Sequence, residues 1–465
     1  MLEIALDYRP VADVAARLAG RPGFAFLDSA GDYGEIGRYA FVAADPFGTF
    51  VVRDGVAFWD DARLPGTSLE ALRDVLGRYR IAGDPASFPF RGGGIGYIAY
   101  DFGRHLERLA TPADPATPVD DLRFEFYDVV LAFDLQEKRL VLFSSGFPAE
   151  GEARETRAHE RAAEMMAWLT EEVETPGFRS FPASGTWRSN FTEAAYQAAV
   201  ARVQAYILAG DIYQANISQC FTADIPADFD PWAFYRTLRA VNPAPFGAFL
   251  RSGTVAVASS SPERFLKCRD GNVEARPIKG TARREVDAAR DAAVAEALLS
   301  SDKDRAENTM IVDLLRNDLS RVCQPGTVKV PTLCGLESYE GLHHLTSVVT
   351  GRLKPGCDAV DLVAASFPGG SITGAPKLRA MDIITEIEGV ARGVYCGAIG
   401  YLGFDGGLDL NIAIRTVTFE PGRARFSAGG GITLLSDPAA EYAETLVKAS
   451  RIFAAFRAHA DEECT

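Results

Sequence analysis

Short apolar runs recur through the first 145 or so residues of the chain, and Gly, Asp and Pro separate them. Apolar runs of four or five residues between such turn residues are typical of β-strands. They predict strands at residues 24–27, 39–42, 49–52 and 129–133, with one helix at residues 68–79. This part of the chain is therefore predicted to be mostly sheet.

Helical periodicity is clear after residue 190. Thr192 is a suitable N-cap, and apolar residues at positions 196, 200, 203 and 207 form one face of a helix that ends at Gly210. Apolar runs at residues 254–266, 398–404 and 410–419 predict strands. Strands and helices occur in blocks, with no regular βαβ rhythm and no internal repeat, which indicates the α+β class.

A change of composition suggests where the chain divides. Residues 151–174 are charged and rich in helix formers, whereas residues 175–189 are rich in Pro, Gly, Ser and Thr. The second segment is the best candidate for a boundary. We therefore expect an amino-terminal region at residues 1–150, a helix and linker at 151–189, and a carboxy-terminal region at 190–458.

The composition is that of a globular protein, with 465 residues of which 47% are hydrophobic. The net charge of −15 argues against a nucleic-acid or anionic-membrane partner, since both attract basic surfaces. No signal-peptide pattern and no run of about 18 apolar residues occurs, so a cytoplasmic protein is expected. The seven cysteines include no Cys-x-x-Cys pair, which argues against a disulfide framework or a zinc site.

Two pairs of acidic residues have helical spacing. Asp304 and Glu307 lie near the start of one predicted helix, and Glu441 and Glu444 near the start of the last one. Residues three apart share a helix face, so two such faces turned toward each other would offer Mg²⁺ a set of hard oxygens. The alternative is that these are solvated first-turn acids that favour the helix dipole.

Two further features suggest anion binding. The glycines at 429–431 follow an apolar run, and successive glycines let backbone N–H groups approach an anion. Arg415 interrupts the apolar run 410–419, where its guanidinium could grip a carboxylate or form an ion pair on the strand. The glycine cluster 92–96 has the wrong spacing for a dinucleotide fingerprint and predicts a tight turn into a strand at 97–100.

Lys279 lies in a run of small residues at 277–281, next to a glycine. Its small neighbours offer the amine few packing contacts, so the amine could take part in a reaction. The alternative is that Lys279 is simply a surface lysine in a turn. His343 and His344 would point to opposite faces of a strand, so at most one of them enters a site.

Long motifs in this order resemble the chorismate-utilising enzymes, the family of anthranilate, aminodeoxychorismate, isochorismate and salicylate synthases. The matching runs are residues 209–214, 277–281, 305–314, 344–347, 374–377, the strand to 415, 428–432 and the helix of 441 and 444. They are collinear over about residues 190–455, whereas residues 27–29 and 96–97 resemble the family's amino-terminal region more weakly. The resemblance implies a large antiparallel-sheet sandwich flanked by helices, with the chorismate-binding catalytic domain at 190–458.

The resemblance also implies roles for individual residues. Glu307 and Glu444 would bind Mg²⁺, supported by Glu441 and Asp304, and the metal would hold the ring carboxylate of chorismate. The substrate-binding residues would be Gln214, Gly280, Thr281, Thr373, Tyr401, Arg415, Gly430, Gly431 and Lys448, with Arg415 and Tyr401 on the enolpyruvyl carboxylate. Lys279, His344 and Glu263 would be catalytic, and Ser29 would belong to an effector site.

Two positions distinguish the subgroups of the family. Water-adding members carry a lysine where this chain has Gln214, and anthranilate synthases carry an alanine where it has Lys279. Gln214 together with Lys279 resembles component I of the aminodeoxychorismate-forming subgroup, on the branch toward para-aminobenzoate and folate. That subgroup implies a covalent adduct of Lys279 and ammonia from a separate glutamine amidotransferase. The alternatives are anthranilate formation and a non-catalytic, ligand-sensing pseudoenzyme.

Overall fold

The computed structural model describes residues 1–171, 187–339 and 341–458. Two twelve-stranded sheets pack face to face, and their paired strands are antiparallel. The first sheet runs in the order β1 (Leu2–Leu6), β10 (Arg139–Ser144), β9 (Val129–Asp134), β3 (Tyr39–Ala43), β2 (Ala25–Asp28), β13 (Phe246–Ser252), β14 (Val255–Ser261), β23 (Thr416–Glu420), β24 (Arg423–Ile432), β12 (Gln214–Asp224) and β11 (Arg188–Ser189), with β20 (Gly374–Ala375) paired to β12.

The second sheet has the same number of strands. Its order is β17 (Ile278–Arg283), β19 (Leu342–Arg352), β16 (Asn272–Arg276), β15 (Arg264–Arg269), β22 (Leu408–Asn411), β21 (Ala398–Gly403), β7 (Gly93–Ile98), β8 (Leu122–Tyr127), β4 (Gly48–Arg53), β5 (Val56–Trp59) and β6 (Ala62–Arg63), with β18 (Lys329–Tyr339) paired to β19.

Helices cover the outer faces of both sheets. They are α1 (Val11–Leu18), α2 (Ser68–Arg78), α3 (Gly103–Leu106), α4 (Gly151–Thr170), α5 (Glu193–Leu208), α6 (Pro231–Val241), α7 (Ala288–Leu299), α8 (Asp302–Val322), α9 (Ala359–Ser366), α10 (Lys377–Glu388) and α11 (Pro438–Ala458). Helices α1, α4, α6 and α11 bury their apolar faces on the first sheet, and α2, α8 and α9 on the second. The predicted α+β sandwich flanked by helices is confirmed. Among the described helices, none is long and apolar enough to cross a membrane.

Strands from the beginning and the end of the chain alternate within both sheets. In the first sheet β2 pairs with β13, and in the second β7 pairs with β21. The core between the sheets therefore draws side chains from both parts, such as Phe41 and Ile399. The division at 150 and 190 stays a prediction, and residues 172–186 of the expected linker lie outside the described residues.

Several predicted elements match the structure closely. Strands β2, β3, β4 and β9 coincide with their predicted positions within one residue at either end. Helix α5 begins after Thr192, whose side chain accepts a hydrogen bond from the backbone N–H of Ala195 at 3.2 Å. Short-range rules suffice for these elements because caps and apolar runs act within a few residues.

Two predicted strands are interrupted. The run 254–266 forms β14 in one sheet and β15 in the other, because Pro262 lies between them and cannot donate to a strand ladder. The run 410–419 breaks between β22 and β23, where Arg415 has a φ of 53°. Both breaks bring a predicted site residue, Glu263 or Arg415, to a bend near the junction of the sheets.

The glycine cluster at 92–96 also differs from its prediction. Gly93 and Gly96 lie within β7 and not in a turn before it. A Cβ on Gly96 would lie 1.9 Å from the backbone oxygen of Arg123, and one on Gly93 2.1 Å from that of Leu402. These glycines therefore allow neighbouring strands to approach closely.

Candidate functional site

Lys279 lies in a bulge of β17. The register with β19 shifts between Ile278 and Thr281, and Gly280 takes a φ of 81° there. This bulge directs the Lys279 amine toward the turn at 370–372, where Nζ donates a hydrogen bond to the backbone oxygen of Ser371 at 3.0 Å. The lysine is therefore held by the fold and is not a free surface side chain.

Glu263 approaches the same turn from the bend after β14. Its carboxylate accepts a hydrogen bond from the Ser371 hydroxyl and interacts with Lys279. Lys279, Ser371 and Glu263 are called the Lys279 cluster below. Ser371 was not singled out from the sequence, although it belongs to a conspicuous run of small residues at 367–377.

Burial shifts both ionisable groups of this cluster toward their neutral forms. It lowers the pKa of the Lys279 amine, although the carboxylates of Glu307 and Glu263 oppose the shift. Burial also raises the pKa of Glu263 to about 7, against the effect of Ser371 and Lys279. The cluster can therefore hold or pass a proton near neutral pH.

The first acidic pair comes from α8. Ser301 caps this helix and donates its hydroxyl to Asp304 at 2.6 Å. Asp304 packs against Gly280, where an added Cβ would lie 3.0 Å from its carboxyl carbon. One turn later, Glu307 has a buried Oε1 without a hydrogen-bond partner, and burial raises the pKa of its carboxyl.

The second pair comes from α11 and meets β24. A Cβ on Gly430 would lie 3.2 Å from Oε2 of Glu441 and 3.4 Å from Oε1 of Glu444. Burial raises the pKa of Glu441. Burial has the same effect on Glu444, but Lys448, whose Nζ lies 2.7 Å away, outweighs it and lowers the pKa of Glu444. Lys448 also donates to the backbone oxygen of Gly429 at 2.9 Å.

The two acidic pairs face each other around Lys279. The carboxylate of Glu441 on α11 raises the pKa of Glu307 on α8, and Lys279 interacts with both Glu307 and Glu444. Across the described residues, no three His, Cys, Asp or Glu side chains are grouped closely enough to hold a metal ion on their own. The unpartnered Glu307 oxygen and the hard-oxygen donors nevertheless suit Mg²⁺, which needs one or two carboxylates and takes other ligands from water and substrate.

A basic group lies on the other side of the bulge. His344 shares a 2.9 Å hydrogen bond with Thr281 through Nδ1, and burial together with nearby Arg415 lowers the His344 pKa to about 4. Within the described chain, Arg415 interacts with Arg451 and Tyr395 and with no carboxylate. Arg415 therefore does not form a structural ion pair with any described residue, and its guanidinium is available to an anion.

The end of the β12–β24 strand pair completes the site. Gln214 is 1% exposed, and neither atom of its amide has a hydrogen-bond partner among the described residues. It packs against Gly431, where an added Cβ would lie 2.1 Å from Nε2. Thr373 is fully buried and donates to the backbone oxygen of Gly369 at 3.0 Å, and its own backbone oxygen accepts from Asn216.

The glycines of β24 are strand residues. Gly429, Gly430 and Gly431 pair with β12 in regular register, so they do not form a separate anion nest. They allow close approach, because any side chain there would meet β12 or the acidic residues of α11. Substrate binding by the Gly430 and Gly431 backbone stays a prediction.

Tyr401 and Ser29 lie away from these groups. Tyr401 packs against Phe41 and Phe90, with ring centroids 5.7 and 4.6 Å away, and lines an inner cavity of about 70 Å³. Its placement beside Arg415 is therefore wrong; the tyrosine that interacts with Arg415 is Tyr395, six positions earlier. Tyr395 precedes the apolar run 398–404, whereas Tyr401 lies within it, in β21, and packs in the core between the sheets. Ser29 donates to the backbone oxygen of Pro245 at 2.6 Å and borders an open groove of about 520 Å³; its effector role stays a prediction.

The fold and the site bring together a buried lysine, the carboxylates around it, and an arginine that has no carboxylate partner among the described residues. Residues 24–454 match the family of chorismate binding enzymes, and the chain belongs to this family. It is therefore a chorismate-utilising enzyme.

Relatives with two different activities are about equally similar. Aminodeoxychorismate synthase component 1 of Klebsiella aerogenes is 40% identical over 456 residues, which are 97% of each chain. Anthranilate synthase component 1 of Streptomyces coelicolor is 39% identical over 401 residues, which are 84% of this chain and 78% of that one. The solved structure of anthranilate synthase component I from Streptococcus pneumoniae has a TM-score of 0.79 at 31% identity, covering 89% of this chain and 92% of the other. Overall similarity therefore does not choose between the two activities.

Proposed function

We propose that the enzyme converts chorismate and ammonia to 4-amino-4-deoxychorismate, as an aminodeoxychorismate synthase component 1. The observation that carries this proposal is the buried Lys279 amine, which a strand bulge directs between Glu307 and Glu263. An amine in that place can act as a nucleophile toward a substrate bound between the acidic pairs and Arg415.

The position of the new nitrogen explains why a lysine is needed. The product carries its amine on carbon 4, the carbon that loses hydroxide, whereas direct attack of ammonia at carbon 2 gives the anthranilate-type intermediate. In the proposed route the Lys279 amine loses a proton and bonds to carbon 2, while the ring double bonds shift and the C4–O bond breaks. Ammonia then bonds to carbon 4 and loses a proton, the double bonds shift back, and the C2–N bond breaks to restore Lys279. The net change exchanges hydroxide for an amine, with water released.

Glu263 is the group that takes the proton of Lys279. An ordinary lysine is neutral in only about one molecule in a thousand at pH 7.4, which corresponds to a deficit of roughly 4 kcal/mol. Burial lowers the Lys279 pKa and so reduces this deficit. The Glu263 carboxylate has a pKa of about 7 and interacts electrostatically with Lys279. It can therefore accept the proton near neutral pH, either directly or through a water, once the amine releases the Ser371 backbone oxygen.

The acidic residues would hold Mg²⁺, with Glu307 and Glu444 as ligands and Glu441 and Asp304 in support. When bound, Mg²⁺ holds the ring carboxylate and assists departure of the hydroxyl group as a Lewis acid. Arg415 binds the enolpyruvyl carboxylate, since no protein carboxylate in the described chain occupies its guanidinium.

The ammonia would come from a separate glutamine amidotransferase subunit. Support comes from the relatives with this activity, which are named component 1 and match over 97% of each chain in the Klebsiella aerogenes case. Free ammonium would substitute for that subunit in a purified system.

The proposal is tested by identifying the product. The purified chain is supplied with chorismate, Mg²⁺ and ammonium. The products are separated by chromatography and identified by mass spectrometry. Aminodeoxychorismate is expected as the main product. Anthranilate as the main product would instead support the second candidate, to which the 39% identical Streptomyces coelicolor relative points. Ligand binding without turnover would identify a pseudoenzyme.

Lys279→Ala tests the mechanism directly. Aminodeoxychorismate formation should fall by orders of magnitude and an anthranilate-type product should appear, because ammonia can then attack only carbon 2. Lys329→Ala, on an exposed position of β18, is the matched control and should leave the product unchanged. A normal rate and product for Lys279→Ala would rule out the covalent route.

A further inference from the structure

Arg392 is a buried charged residue that the proposed mechanism does not use. It lies between α10 and β21, and its guanidinium forms a two-pronged ion pair with Glu388, in which Nε and Nη2 donate at 2.9 and 2.7 Å. The two side chains are only 3% and 2% exposed. Apolar residues of similar size often stabilise a core as well as a buried ion pair does, so the other contacts of this guanidinium are informative.

The guanidinium also binds two backbone carbonyl groups. Nη1 donates to the oxygen of Ile372 at 3.1 Å, and Nη2 donates to the oxygen of Asn216 at 2.8 Å. Ile372 ends the turn that carries the hydrogen-bond acceptor of Lys279, and Asn216 lies in β12. One planar group therefore fixes this turn relative to β12.

Asn216 extends this connection to the Lys279 amine. Its Nδ2 donates to the backbone oxygen of Ser371 at 3.0 Å, the same oxygen to which Lys279 donates. Its backbone N–H donates to the oxygen of Thr373 at 2.7 Å. The backbone hydrogen bond that closes the turn at Thr373 is long, at 3.4 Å. The position of the Ser371 oxygen therefore depends strongly on Asn216 and, through it, on Arg392.

The same guanidinium packs against two tyrosines. Its central carbon lies 4.6 Å from the ring centroid of Tyr100 and 5.8 Å from that of Tyr395. Tyr395 in turn interacts with Arg415. Tyr100 comes from the amino-terminal part of the chain, and its backbone N–H donates to the oxygen of Gly393 at 2.8 Å. Arg392 thus contacts neighbours of both Lys279 and Arg415.

We propose that Arg392 is a positioning residue, which holds the turn at 370–372 and thereby the place from which the Lys279 amine attacks carbon 2. The inference rests on the proposed function. When this hold is lost, the amine is misplaced, ammonia attacks carbon 2 directly, and an anthranilate-type product forms. A residue that only stabilised the fold would change the amount of active enzyme and leave the ratio of the two products unchanged.

Two changes at this position separate positioning from stability. Arg392→Lys keeps a positive charge beside Glu388, but an ammonium group lacks the planar fork that binds a carboxylate and two carbonyl groups together. Arg392→Met combined with Glu388→Leu removes both charges, so no unpaired charge stays buried and the chain should fold. The product ratio is independent of how much of each preparation is folded.

Arg161→Lys is the matched control. Arg161 on α4 is 10% exposed and forms an ion pair with the buried Asp128, and α4 packs on the first sheet near the start of the chain. Each full-length variant is supplied with chorismate, Mg²⁺ and ammonium, and both products are quantified by chromatography and mass spectrometry. Urea unfolding measures stability, and hydrogen exchange of residues 367–377 is followed without substrate.

The fraction of anthranilate-type product should rise at least about tenfold in both forms altered at Arg392. The kcat for aminodeoxychorismate should fall on the order of 10²-fold with little change in KM, as expected when a reacting group is misplaced by about 1 Å. Residues 367–377 should exchange faster. Arg161→Lys should lower stability and change neither the product ratio nor this exchange.

An unchanged product ratio in the forms altered at Arg392 would overturn the proposal, whether or not residues 367–377 exchange faster. An equal change of the ratio in Arg161→Lys would also overturn it. If the unaltered chain makes no aminodeoxychorismate with ammonium, the proposed function is wrong. Hydrogen exchange then still decides whether Arg392 holds the turn, and unchanged exchange would reject that role.

Discussion

Ser371 connects the two groups that the proposed chemistry needs. Its backbone oxygen accepts from Lys279 and its hydroxyl donates to Glu263, so one turn of the backbone sets the distance between an amine and a carboxyl group. Burial shifts both toward neutrality, and their mutual attraction opposes that shift. Burial thus favours the neutral amine and the neutral carboxyl group over the separated charges.

Glu263→Gln should remove one limb of the pH–rate profile. Glu263 must be ionised to accept the proton, and its pKa of about 7 means that activity rises with pH through that value. The variant should no longer show this rise with pH, and its kcat should be lower by a factor on the order of 10²–10⁴. Ser371→Ala removes a hydrogen-bond donor that lowers the Glu263 pKa, so the rising limb of that variant's pH–rate profile should move to higher pH. Persistence of the limb in Glu263→Gln would assign it to another group.

His344 should make stability depend on pH. Its pKa falls from 6.5 in the unfolded chain to about 4 in the folded one, so between these values only the unfolded chain takes up the proton. Stability should therefore fall as the pH is lowered from 6.5 to 4, by up to about 3 kcal/mol.

Urea unfolding at several pH values measures this effect. His344→Gln should show a weaker loss of unfolding free energy between pH 6.5 and 4 than the unaltered chain. His159→Gln, at an exposed position of α4, should behave like the unaltered chain. Equal pH dependence in all three proteins would contradict the lowered pKa.

Three successive glycines of β24 lie close to their neighbours at the site. Gly429 lies against the β12 backbone, Gly430 against Glu441 and Glu444, and Gly431 against the Gln214 side chain. The same strand therefore meets a rigid neighbour at one position and a movable side chain two positions later. Substitutions along it should have different consequences.

Gly431→Ala should reduce activity more than stability, because the new Cβ would lie 2.1 Å from Nε2 of Gln214, a side chain that can move away. Gly429→Ala should destabilise the fold by about 1–3 kcal/mol, since its Cβ would lie 2.3 Å from the backbone oxygen of Ile217. Gly77→Ala, where the Cβ meets open space, is the control and should not destabilise. Urea unfolding and ammonium-dependent product formation measure both effects. Equal effects of Gly429→Ala and Gly431→Ala would refute the distinction.

The two sheets bind the whole chain into one structure. Strand β13 pairs with β2 and strand β21 with β7, so each sheet would lose internal neighbours if either part of the chain were missing. Phe41 and Ile399, from opposite parts, share the core between the sheets. The amino-terminal part thus supports the strands on which the site is built.

A chain that begins at residue 187 should not fold alone, because β13 and β21 would expose unpaired edges and one apolar face. Circular dichroism and size-exclusion chromatography should show unfolded or aggregated material, and co-expression with residues 1–171 should restore a folded complex. A folded monomer with ammonium-dependent activity would instead show that the two parts are independent.

Local features of this protein could be predicted because they depend on neighbouring residues. Thr192 caps α5, and Glu307 lies one turn after Asp304 on α8, as the spacing requires. The ordered motifs also identified the family, which the match over residues 24–454 confirms. The chemistry of Lys279 remained undecided between a surface turn and a site, since its surroundings are remote in sequence.

Those surroundings depend on strand register. The β17 bulge places Lys279 beside Ser371, 92 residues later. Pro262 sends the chain from one sheet to the other and brings in Glu263. Tyr395, and not Tyr401, lies near Arg415 because pairing with β7 directs Tyr401 into the core. Residue types and helical spacing are fixed over a few positions, whereas distances across a sheet follow from pairings between segments far apart in the chain.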